Sequence, residues 1–269
     1  MQIPIYVISL LDATERRKSI QNQLAKLNLE YEIVDAIDGR LPNFSSIYDK
    51  YIDEEWYKKR NGEPLTLSEK ACALSHATIY NHLIMHNITE AIVLEDDAVL
   101  MEDFYEYAMK KFPLEAYQQL TILHVYKQQY ATKVRININR KYSLYKPYRK
   151  FLGACAYYLS ISDAKALYEA SLPIWSTSDW PLKIENDLLA RGVEPPLVQQ
   201  SESLDSQIQR FKNRKTPMHV TAARLSIIPN LIYPSYFGSI WKSYYAWQAV
   251  IKRVSNKFTP VVLTMKFIR

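Results

Sequence analysis

The stretch Ile92-Val93-Leu94-Glu95-Asp96-Asp97 sets an apolar run directly against three consecutive acids. The apolar residues from Ala91 to Leu94 predict a short buried strand, and the acids fall where that strand ends. In open α/β sheets, ligands bind in the crevice outside the carboxyl ends of the strands. The stretch therefore predicts an α/β fold with the three acids at the edge of the sheet where a ligand could bind.

A strand, a helix and a second strand precede this stretch and support the same fold class. Ile5 to Leu10 is a short apolar run that predicts a buried strand. The residues from about Ala13 to Asn28 have the apolar spacing of a helix, and Tyr31 to Ala36 predicts a second strand. A chain that begins β-α-β is typical of a parallel sheet.

The elements on either side of the acids are predicted from caps and composition. Thr66-Leu67-Ser68-Glu69 is a capping box, which opens a mostly buried helix that ends near His86. Residues 41–64 show little periodicity and predict a long loop. Further predictions are strands at Thr121 to Val125 and Gly153 to Ile161, a loop or hairpin at 127–150, and a helix capped by Ser162.

Three adjacent carboxylates repel one another unless a cation or hydrogen-bond donors compensate their charge. A hard divalent cation with oxygen ligands would do so, and such a cation commonly bridges substrate phosphates. The alternative is a solvated strand end whose acids cap a helix. The three acids, taken alone, favour this alternative.

The scarcity of glycine bears on how a nucleotide could bind. The chain has five glycines, and it contains neither G-x-G-x-x-G nor a P-loop. A bound diphosphate would therefore need a metal or cationic side chains. Arg16 and Arg17, early in the first predicted helix, are candidates because guanidinium groups bind phosphate well, with a solvated helix face as the alternative. Ser75-His76 lies in the mostly buried helix, where a core histidine is the alternative to a functional one.

The cysteines and the N-terminus indicate the compartment. Cys72 and Cys155 each lie in an apolar run, which predicts buried free thiols and fits a reducing compartment. The N-terminus lacks the pattern of a signal peptide, and no apolar stretch reaches the roughly 18 residues of a membrane span. We expect a protein that is cytoplasmic or bound to the cytoplasmic face of a membrane.

The charge of the chain is divided unevenly. Residues 206–269 carry 11 Lys and Arg and no Asp or Glu, whereas residues 1–205 have a net charge of −5. Residues 239–254 have helical spacing, with an apolar stripe that the cations flank. The stripe is Ile240, Tyr244, Trp247 and Ile251, and the cations are Lys242, Lys252 and Arg253. This pattern predicts an interfacial segment on an anionic membrane. Packing on the body and a nucleic-acid patch are the alternatives, and we expect no nucleic-acid partner.

Five motifs occur in a fixed order along the chain. They are Val7-Ile8-Ser9-Leu10 followed by Arg16-Arg17, Ala36-Ile37-Asp38-Gly39, Ala71-Cys72-Ala73-Leu74-Ser75-His76, Val93-Leu94-Glu95-Asp96-Asp97 and Gly153-Ala154-Cys155-Ala156-Tyr157-Tyr158-Leu159-Ser160. This ordered set resembles glycosyltransferase family 25, the lipooligosaccharide galactosyltransferases of Gram-negative bacteria and their collagen-modifying relatives. The resemblance spans roughly residues 2–208, and it favours the functional interpretation of the three acids.

The resemblance implies an α/β fold of the GT-A type, a Rossmann-like domain that binds a nucleotide sugar. We expect that domain at residues 1–212 and a basic, aromatic-rich, mostly helical membrane-association segment at residues 213–269. The implied reaction is an inverting transfer of galactose from UDP-galactose, of the β-1,4-galactosyltransferase type, with Mn²⁺ or Mg²⁺ as cofactor. The acceptor would be a lipooligosaccharide glycan on the lipid A core, at the inner face of the bacterial inner membrane. UDP-glucose or UDP-N-acetylglucosamine as donor, and a catalytically silent scaffold, are the alternatives.

The resemblance also implies roles for single residues. Asp97 is the expected metal ligand, with Glu95 as a second candidate. The expected donor-binding residues are Ser9, Leu10, Arg16, Asp38, Ser75, His76, Glu95, Asp96 and Gly153.

An inverting transfer needs a general base that is separate from the metal group. Asp179 is the first candidate, because the family commonly shows a proline followed closely by an aspartate. The spacing from Pro173 is longer here. Glu185 and Asp187 are rival candidates. A helix N-cap is the alternative role for Asp179, since a proline follows two residues later.

Two tryptophans flank this region of the sequence, and aromatic faces commonly stack on sugar rings. Trp175 and Trp180 are therefore predicted to line the acceptor site. Packing in the core is the alternative for both.

Overall fold

The computed structural model describes residues 1–124, 135–146, 151–178, 180–182, 184–201 and 267–268. Within these ranges it leaves the side chains of Arg60, Glu185 and residues 267–268 undescribed. The segment predicted to associate with a membrane, residues 213–269, lies outside the described residues except for 267–268.

The described residues contain both strands and helices. The strands are β1 (Ile5–Ser9), β2 (Glu32–Asp35), β3 (Glu90–Glu95), β4 (Ala98–Leu100), β5 (Thr121–Ile122), β6 (Arg135–Asn137), β7 (Ser143–Tyr145), β8 (Ala156–Ser160), β9 (Arg191–Glu194), β10 (Val198–Gln200) and β11 (Phe267–Ile268). The helices are α1 (Thr14–Lys26), α2 (Phe44–Tyr48), α3 (Glu55–Asn61), α4 (Leu67–Met85), α5 (Phe104–Ala108), α6 (Ile161–Ser171) and α7 (Ile184–Asp187). Short 3₁₀ helices lie at Asp49–Tyr51 and Leu114–Tyr117.

A mixed sheet in the order β11-β2-β1-β3-β8-β5-β9-β7-β6 organises these elements. Strand β1 is parallel to both β2 and β3, which confirms the parallel start expected from the sequence. Strand β8 then runs antiparallel to β3 and β5, so the sheet is mixed beyond its first three strands. Strands β4 and β10 form a separate antiparallel pair.

Alternate residues of β1 face the two sides of the sheet, and each side is covered by helices. Ile5 and Val7 belong to the same core cluster as Leu24 of α1, whereas Ile8 shares the opposite cluster with Leu83 of α4. These side chains are almost wholly buried. Burying one such side chain stabilises a fold by about 1.5–3 kcal/mol. Both faces of the parallel part are thus closed, and its strand ends are left for a site.

The predicted helix after the capping box is confirmed. The Thr66 hydroxyl accepts a hydrogen bond from the Glu69 N–H at 3.2 Å, and the Glu69 carboxylate accepts one from the Thr66 N–H at 2.8 Å. Helix α4 ends at Met85 and is mostly buried. None of the helices that the structure describes has the length and apolarity to cross a bilayer.

Three details differ from the sequence predictions. Residues 41–64 are not a long loop but hold α2, a 3₁₀ helix and α3, because Phe44 packs into a core cluster with Leu74 of α4. Ser160, rather than Ser162, caps α6, since its hydroxyl accepts from the Asp163 N–H at 3.2 Å. Strand β5 is short, and residues 125–134 lie outside the described part of the chain.

Candidate functional site

Strands β1 and β3 end side by side, because their parallel register sets Ile8 opposite Glu95. Ser9 ends β1, Glu95 ends β3, and Asp96 and Asp97 form the turn into β4. The Ser9 hydroxyl donates to an Asp96 carboxylate oxygen at 2.6 Å. The three acids therefore lie at the carboxyl ends of two parallel strands, the edge at which α/β sheets bind ligands.

Helix α1 delivers two arginines to this edge in its first turn. The Arg16 guanidinium forms ion pairs with Asp96 and Asp97, the latter at 3.2 Å. Arg17 donates to the Ser9 carbonyl at 2.9 Å and pairs with Asp35 at 2.7 Å. Neither arginine lies on a freely solvated helix face, which was the alternative for both.

The acids carry an electrostatic cost that their partners offset only in part. Burial raises the pKa of Asp96, and the Arg16 guanidinium and the Ser9 hydroxyl oppose that rise. Burial likewise raises the pKa of Glu95, against the opposing hydrogen bond from His76. Asp97 raises the pKa of both neighbours further by charge repulsion. A bound cation would relieve this repulsion.

Besides its ion pair with Arg16, Asp97 is held by residues at the end of β10. The Gln200 amide donates to its carboxylate at 3.1 Å, and its backbone carbonyl accepts from the Ser201 N–H at 2.9 Å. The Cys155 thiol lies 3.6 Å from its other carboxylate oxygen. Gln200 was not among the predicted site residues.

The residues at this edge fit a hard divalent cation. One ligand atom each from Glu95, Asp97 and Cys155 lies within 4.8 Å of the other two. Burial raises the pKa of the Cys155 thiol well above its ordinary value, so the thiol stays neutral and is a poor ligand for a hard ion. Two carboxylates remain, and carboxylate oxygens are the ligands that Mg²⁺ and Mn²⁺ prefer.

Helix α4 places Ser75 and His76 differently. The Ser75 hydroxyl accepts from the Ile37 N–H at 2.9 Å and donates to the Ala71 carbonyl at 2.8 Å, so it fixes the chain after β2. The buried His76 ring places Nδ1 at 2.8 Å from the Tyr157 hydroxyl and Nε2 at 3.3 Å from Glu95 Oε1. Of the two predicted donor residues, His76 is the one that contacts the acids.

The remaining predicted donor residues frame the same edge. Asp38 pairs with Arg40 at 2.6 Å, and this ion pair holds the pKa of Asp38 below its ordinary value. Leu10 follows β1 directly and is half-buried. Gly153 precedes β8 with a φ of 78°, a conformation that favours glycine.

The two predicted acceptor tryptophans occupy different environments. Trp175 lines an open hollow beside α4, together with His76, Tyr80 and Ser178, which we call the α4 hollow. Trp180 is buried and packs edge-on against Tyr157 at 5.1 Å between ring centroids. The Trp180 ring therefore has the core position, and in this conformation it offers no face to a sugar.

Within the described residues, the structure does not bring the candidate bases together at the acids. Asp179 lies outside the described residues, so its role stays a prediction. Glu185 and Asp187 belong to α7, and the Asp187 side chain is exposed.

Cys72 was predicted to be a buried thiol, and the structure corrects this. Its side chain is partly exposed, and its sulfur lies 3.4 Å from the Ser178 hydroxyl. The cause is its position on the face of α4 that meets Ser178. A sequence signal existed, since Cys72 and His76 are four residues apart and thus share one helix face.

Comparison with known proteins gives one family model and one solved structure that match much of the chain. The family model described as "Glycosyltransferase family 25 (LPS biosynthesis protein)" matches residues 2–182. A solved structure described as a glycosyltransferase involved in the glycosylation of the major capsid of PBCV-1 matches 78% of this chain and 97% of its own. That match has a TM-score of 0.43 and 9% identity.

Three curated relatives are informative. Procollagen galactosyltransferase 1 of Danio rerio is 24% identical over 239 residues, covering 87% of this chain and 36% of that protein. Procollagen galactosyltransferase 1-B of Xenopus laevis is 33% identical over 95 residues, 35% of this chain and 16% of that protein. Inactive glycosyltransferase 25 family member 3 of Mus musculus is 29% identical over 102 residues, 37% of this chain and 17% of that protein. The chain thus spans well under half the length of these relatives.

Proposed function

The chain belongs to glycosyltransferase family 25, and from this premise we propose that it is an inverting, metal-dependent hexosyltransferase with a GT-A fold. The donor is UDP-galactose, and the acceptor is a saccharide of bacterial lipooligosaccharide. Relatives named as galactosyltransferases support the sugar, and the family description, which names LPS biosynthesis, supports the acceptor.

One observation carries the proposal. At the carboxyl ends of β1 and β3, the Arg16 guanidinium pairs with two acids, Asp96 and Asp97. The Ser9 hydroxyl donates to the first of them. A nucleoside diphosphate needs such an arrangement here, because the chain has no glycine-rich phosphate loop.

Each group at this edge has a distinct task in the proposed reaction. Asp97 and Glu95 would hold Mn²⁺ or Mg²⁺, which supplies neutralising charge for the departing diphosphate. Arg16 already lies against the acids, so its guanidinium is placed to bind a phosphate oxygen as well. Asp96 is bound by both Ser9 and Arg16, which suits it to orient the arginine.

The transfer itself is a displacement at the anomeric carbon. The acceptor hydroxyl oxygen forms the new glycosidic bond as the bond to UDP breaks, and the electron pair leaves on the diphosphate. A carboxylate takes the hydroxyl proton, and Asp179 is the proposed base. Its described neighbours, Ser178 and Pro181, line the α4 hollow next to His76, where an acceptor could approach.

UDP release tests the donor and the metal together. We expect the greatest release with UDP-galactose and Mn²⁺ when UDP-galactose, UDP-glucose and UDP-N-acetylglucosamine are compared. EDTA should abolish it. UDP release that persists in EDTA would refute the metal role. Faster UDP release from UDP-glucose or UDP-N-acetylglucosamine would show that the donor is that sugar nucleotide and not UDP-galactose.

Asp97→Asn tests the ligand assignment. We expect the loss of metal-dependent UDP release by at least about 100-fold, because the cation loses a carboxylate ligand. Asp49→Asn is the matched control, since Asp49 is exposed on a 3₁₀ helix away from the acids in sequence. Circular dichroism should show both variants folded. Full activity in Asp97→Asn contradicts the assignment.

A catalytically silent scaffold is the second candidate, and one observation favours it. A relative from Mus musculus is named as inactive although it matches this chain at 29% identity. A silent protein would bind UDP but release none from any donor in the presence of Mn²⁺. The same panel therefore separates the two functions.

A further inference from the structure

A second group of metal-ligating side chains lies beside the three acids. Cys72 and His76 occupy successive turns of α4, and Glu95 faces them from the end of β3. One ligand atom from each residue lies within 4.8 Å of the other two. The group offers a sulfur, a nitrogen and an oxygen, a donor set that suits zinc better than magnesium.

The hydrogen bond at His76 Nδ1 orients the ring so that Nε2 faces this group. The Tyr157 hydroxyl donates to the Tyr80 hydroxyl at 3.2 Å, so its oxygen is left to accept from His76 Nδ1–H at 2.8 Å. Nε2 then presents a lone pair to Glu95 Oε1 at 3.3 Å. Two acceptors facing each other at this distance require a cation or a proton between them.

Tyr157 and Tyr80 also supply the hydrogen-bond acceptor that metal-binding histidines usually have behind the ring. A histidine ligand normally donates its other N–H to a fixed acceptor, which sets the tautomer and the ring orientation. The Tyr157 O–H is directed at the Tyr80 hydroxyl, so the Tyr157 oxygen serves as that acceptor for His76 Nδ1–H. This hydrogen bonding orients the imidazole so that Nε2 faces Cys72 and Glu95.

We propose that Cys72, His76 and Glu95 bind a divalent cation of the zinc class at a site distinct from the one at Asp97. Glu95 is the residue that the two sites share. A tetrahedral zinc ion holds its ligand atoms about 3.3–3.8 Å apart. The His76–Glu95 spacing of 3.3 Å already fits, and the Cys72 sulfur lies within 4.8 Å of both atoms, so a small shift of the thiol completes the set.

We assign the fourth coordination position to the side of the α4 hollow, which His76 lines. His76 and Ser178 both line this hollow, and the Cys72 sulfur lies 3.4 Å from the Ser178 hydroxyl. The ion can therefore enter from solvent and keep a water or a ligand hydroxyl. Three protein ligands with one open position distinguish such a site from a closed structural zinc site.

Cobalt spectroscopy tests the proposal without any nucleotide sugar. Titrating the whole protein with Co²⁺ should give a thiolate-to-cobalt charge-transfer band. Cys72→Ser should abolish this band and weaken cobalt binding by at least about 10-fold. Cys155→Ser is the matched control and should keep the band. A wild-type protein without the band, or a band lost only in Cys155→Ser, overturns the proposal.

Alkylation of the wild-type protein provides a test that no folding defect can obscure. Iodoacetamide should modify the partly exposed Cys72, and one equivalent of Zn²⁺ should slow that modification by at least about 10-fold, because a coordinated thiolate is shielded. Cys155 is buried and serves as the internal reference in the same peptide map. An unchanged rate at Cys72 means that a proton, and no cation, lies between His76 and Glu95.

Discussion

At the scale of single residues, the three consecutive acids have three different sets of partners. Glu95 meets His76, Asp96 meets Ser9 and Arg16, and Asp97 meets Arg16 and Gln200. Asp96 is bound on both sides by Ser9 and Arg16, and we propose Glu95 and Asp97 as the ligands for a hard cation. The division follows from the strand end, because each successive residue of a turn points in a new direction.

The identity of the base is a prediction at this scale. Asp179→Asn should lower sugar transfer by about 100-fold or more, because the acceptor hydroxyl keeps its proton, while UDP binding is unchanged. Transfer is measured as labelled galactose on the acceptor, and UDP binding by calorimetry.

Glu185→Gln and Asp187→Asn are the matched comparisons for this variant. Both should retain transfer. If either one loses transfer while Asp179→Asn keeps it, the base is reassigned to that rival.

At the scale of elements, α4 connects most of the site. Its capping box begins the helix, Ser75 bonds the chain after β2, and His76 contacts Tyr157 of β8 and Glu95 of β3. His82 lies in its last turn, and His86 is its C-cap. His82 packs edge-on against Tyr6 of β1, and His86 lies 4.2 Å from His82 between ring centroids. Helix α4 thus connects the site to the sheet through His76 and through its C-terminal turns.

The histidine pair predicts a pH dependence of stability. Burial, with a smaller contribution from His86, lowers the pKa of His82 to about 4. Unfolded His82 titrates near its ordinary value of 6.5, so between about 6.5 and 4 the unfolded chain binds a proton that the folded chain does not. The free energy of unfolding should therefore fall as the pH drops through this range.

Proton NMR titration measures the pKa of His82, and urea unfolding measures the free energy of unfolding as a function of pH. His82→Gln should flatten the dependence between pH 6.5 and 4. In His86→Gln, the pKa of His82 should stay well below its ordinary value, since burial is the larger cause. An His82 pKa near 6.5 in the wild-type protein would contradict the prediction.

At the scale of the whole molecule, the chain combines an acidic body with a basic C-terminal part. Residues 1–205 carry a net charge of −5, and residues 206–269 carry 11 cations and no acid. We propose that the basic part docks the enzyme on the inner face of the bacterial inner membrane, near a lipid-linked acceptor. Each cation near an anionic leaflet contributes about 1 kcal/mol to such binding.

Truncation tests the docking role. Removing residues from 213 onward should release the protein from anionic vesicles. It should spare donor hydrolysis, because the acids and Arg16 lie in the retained part and the only described strand lost is the short edge strand β11. Vesicle sedimentation and UDP release are the measurements. Partitioning that does not change after the truncation would refute the idea.

A charge variant separates charge from apolar contact. Lys242, Lys252 and Arg253 changed together to Gln should lower binding to anionic vesicles and leave binding to zwitterionic vesicles nearly unchanged. Equal loss on both kinds of vesicle would assign the binding to the apolar stripe alone.

The sequence alone determined the local features of this protein. The β1-α1-β2 start, the capping box at Thr66 and the acids at the end of β3 follow from period, cap chemistry and strand length, which involve neighbours within a few residues. The ordered motifs then indicated the family, and the family match over residues 2–182 confirmed it.

Only the tertiary structure decided which distant side chains meet. His76 reaches Glu95 across 19 residues, Gln200 reaches Asp97 across 103, and Cys72 reaches Ser178 across 106. No periodicity encodes such contacts, because they depend on the antiparallel insertion of β8 beside β3 and on the packing of α4 over the sheet. The acids could therefore be located from the sequence, whereas their individual partners, and with them the Cys72–His76–Glu95 group, were fixed by the fold.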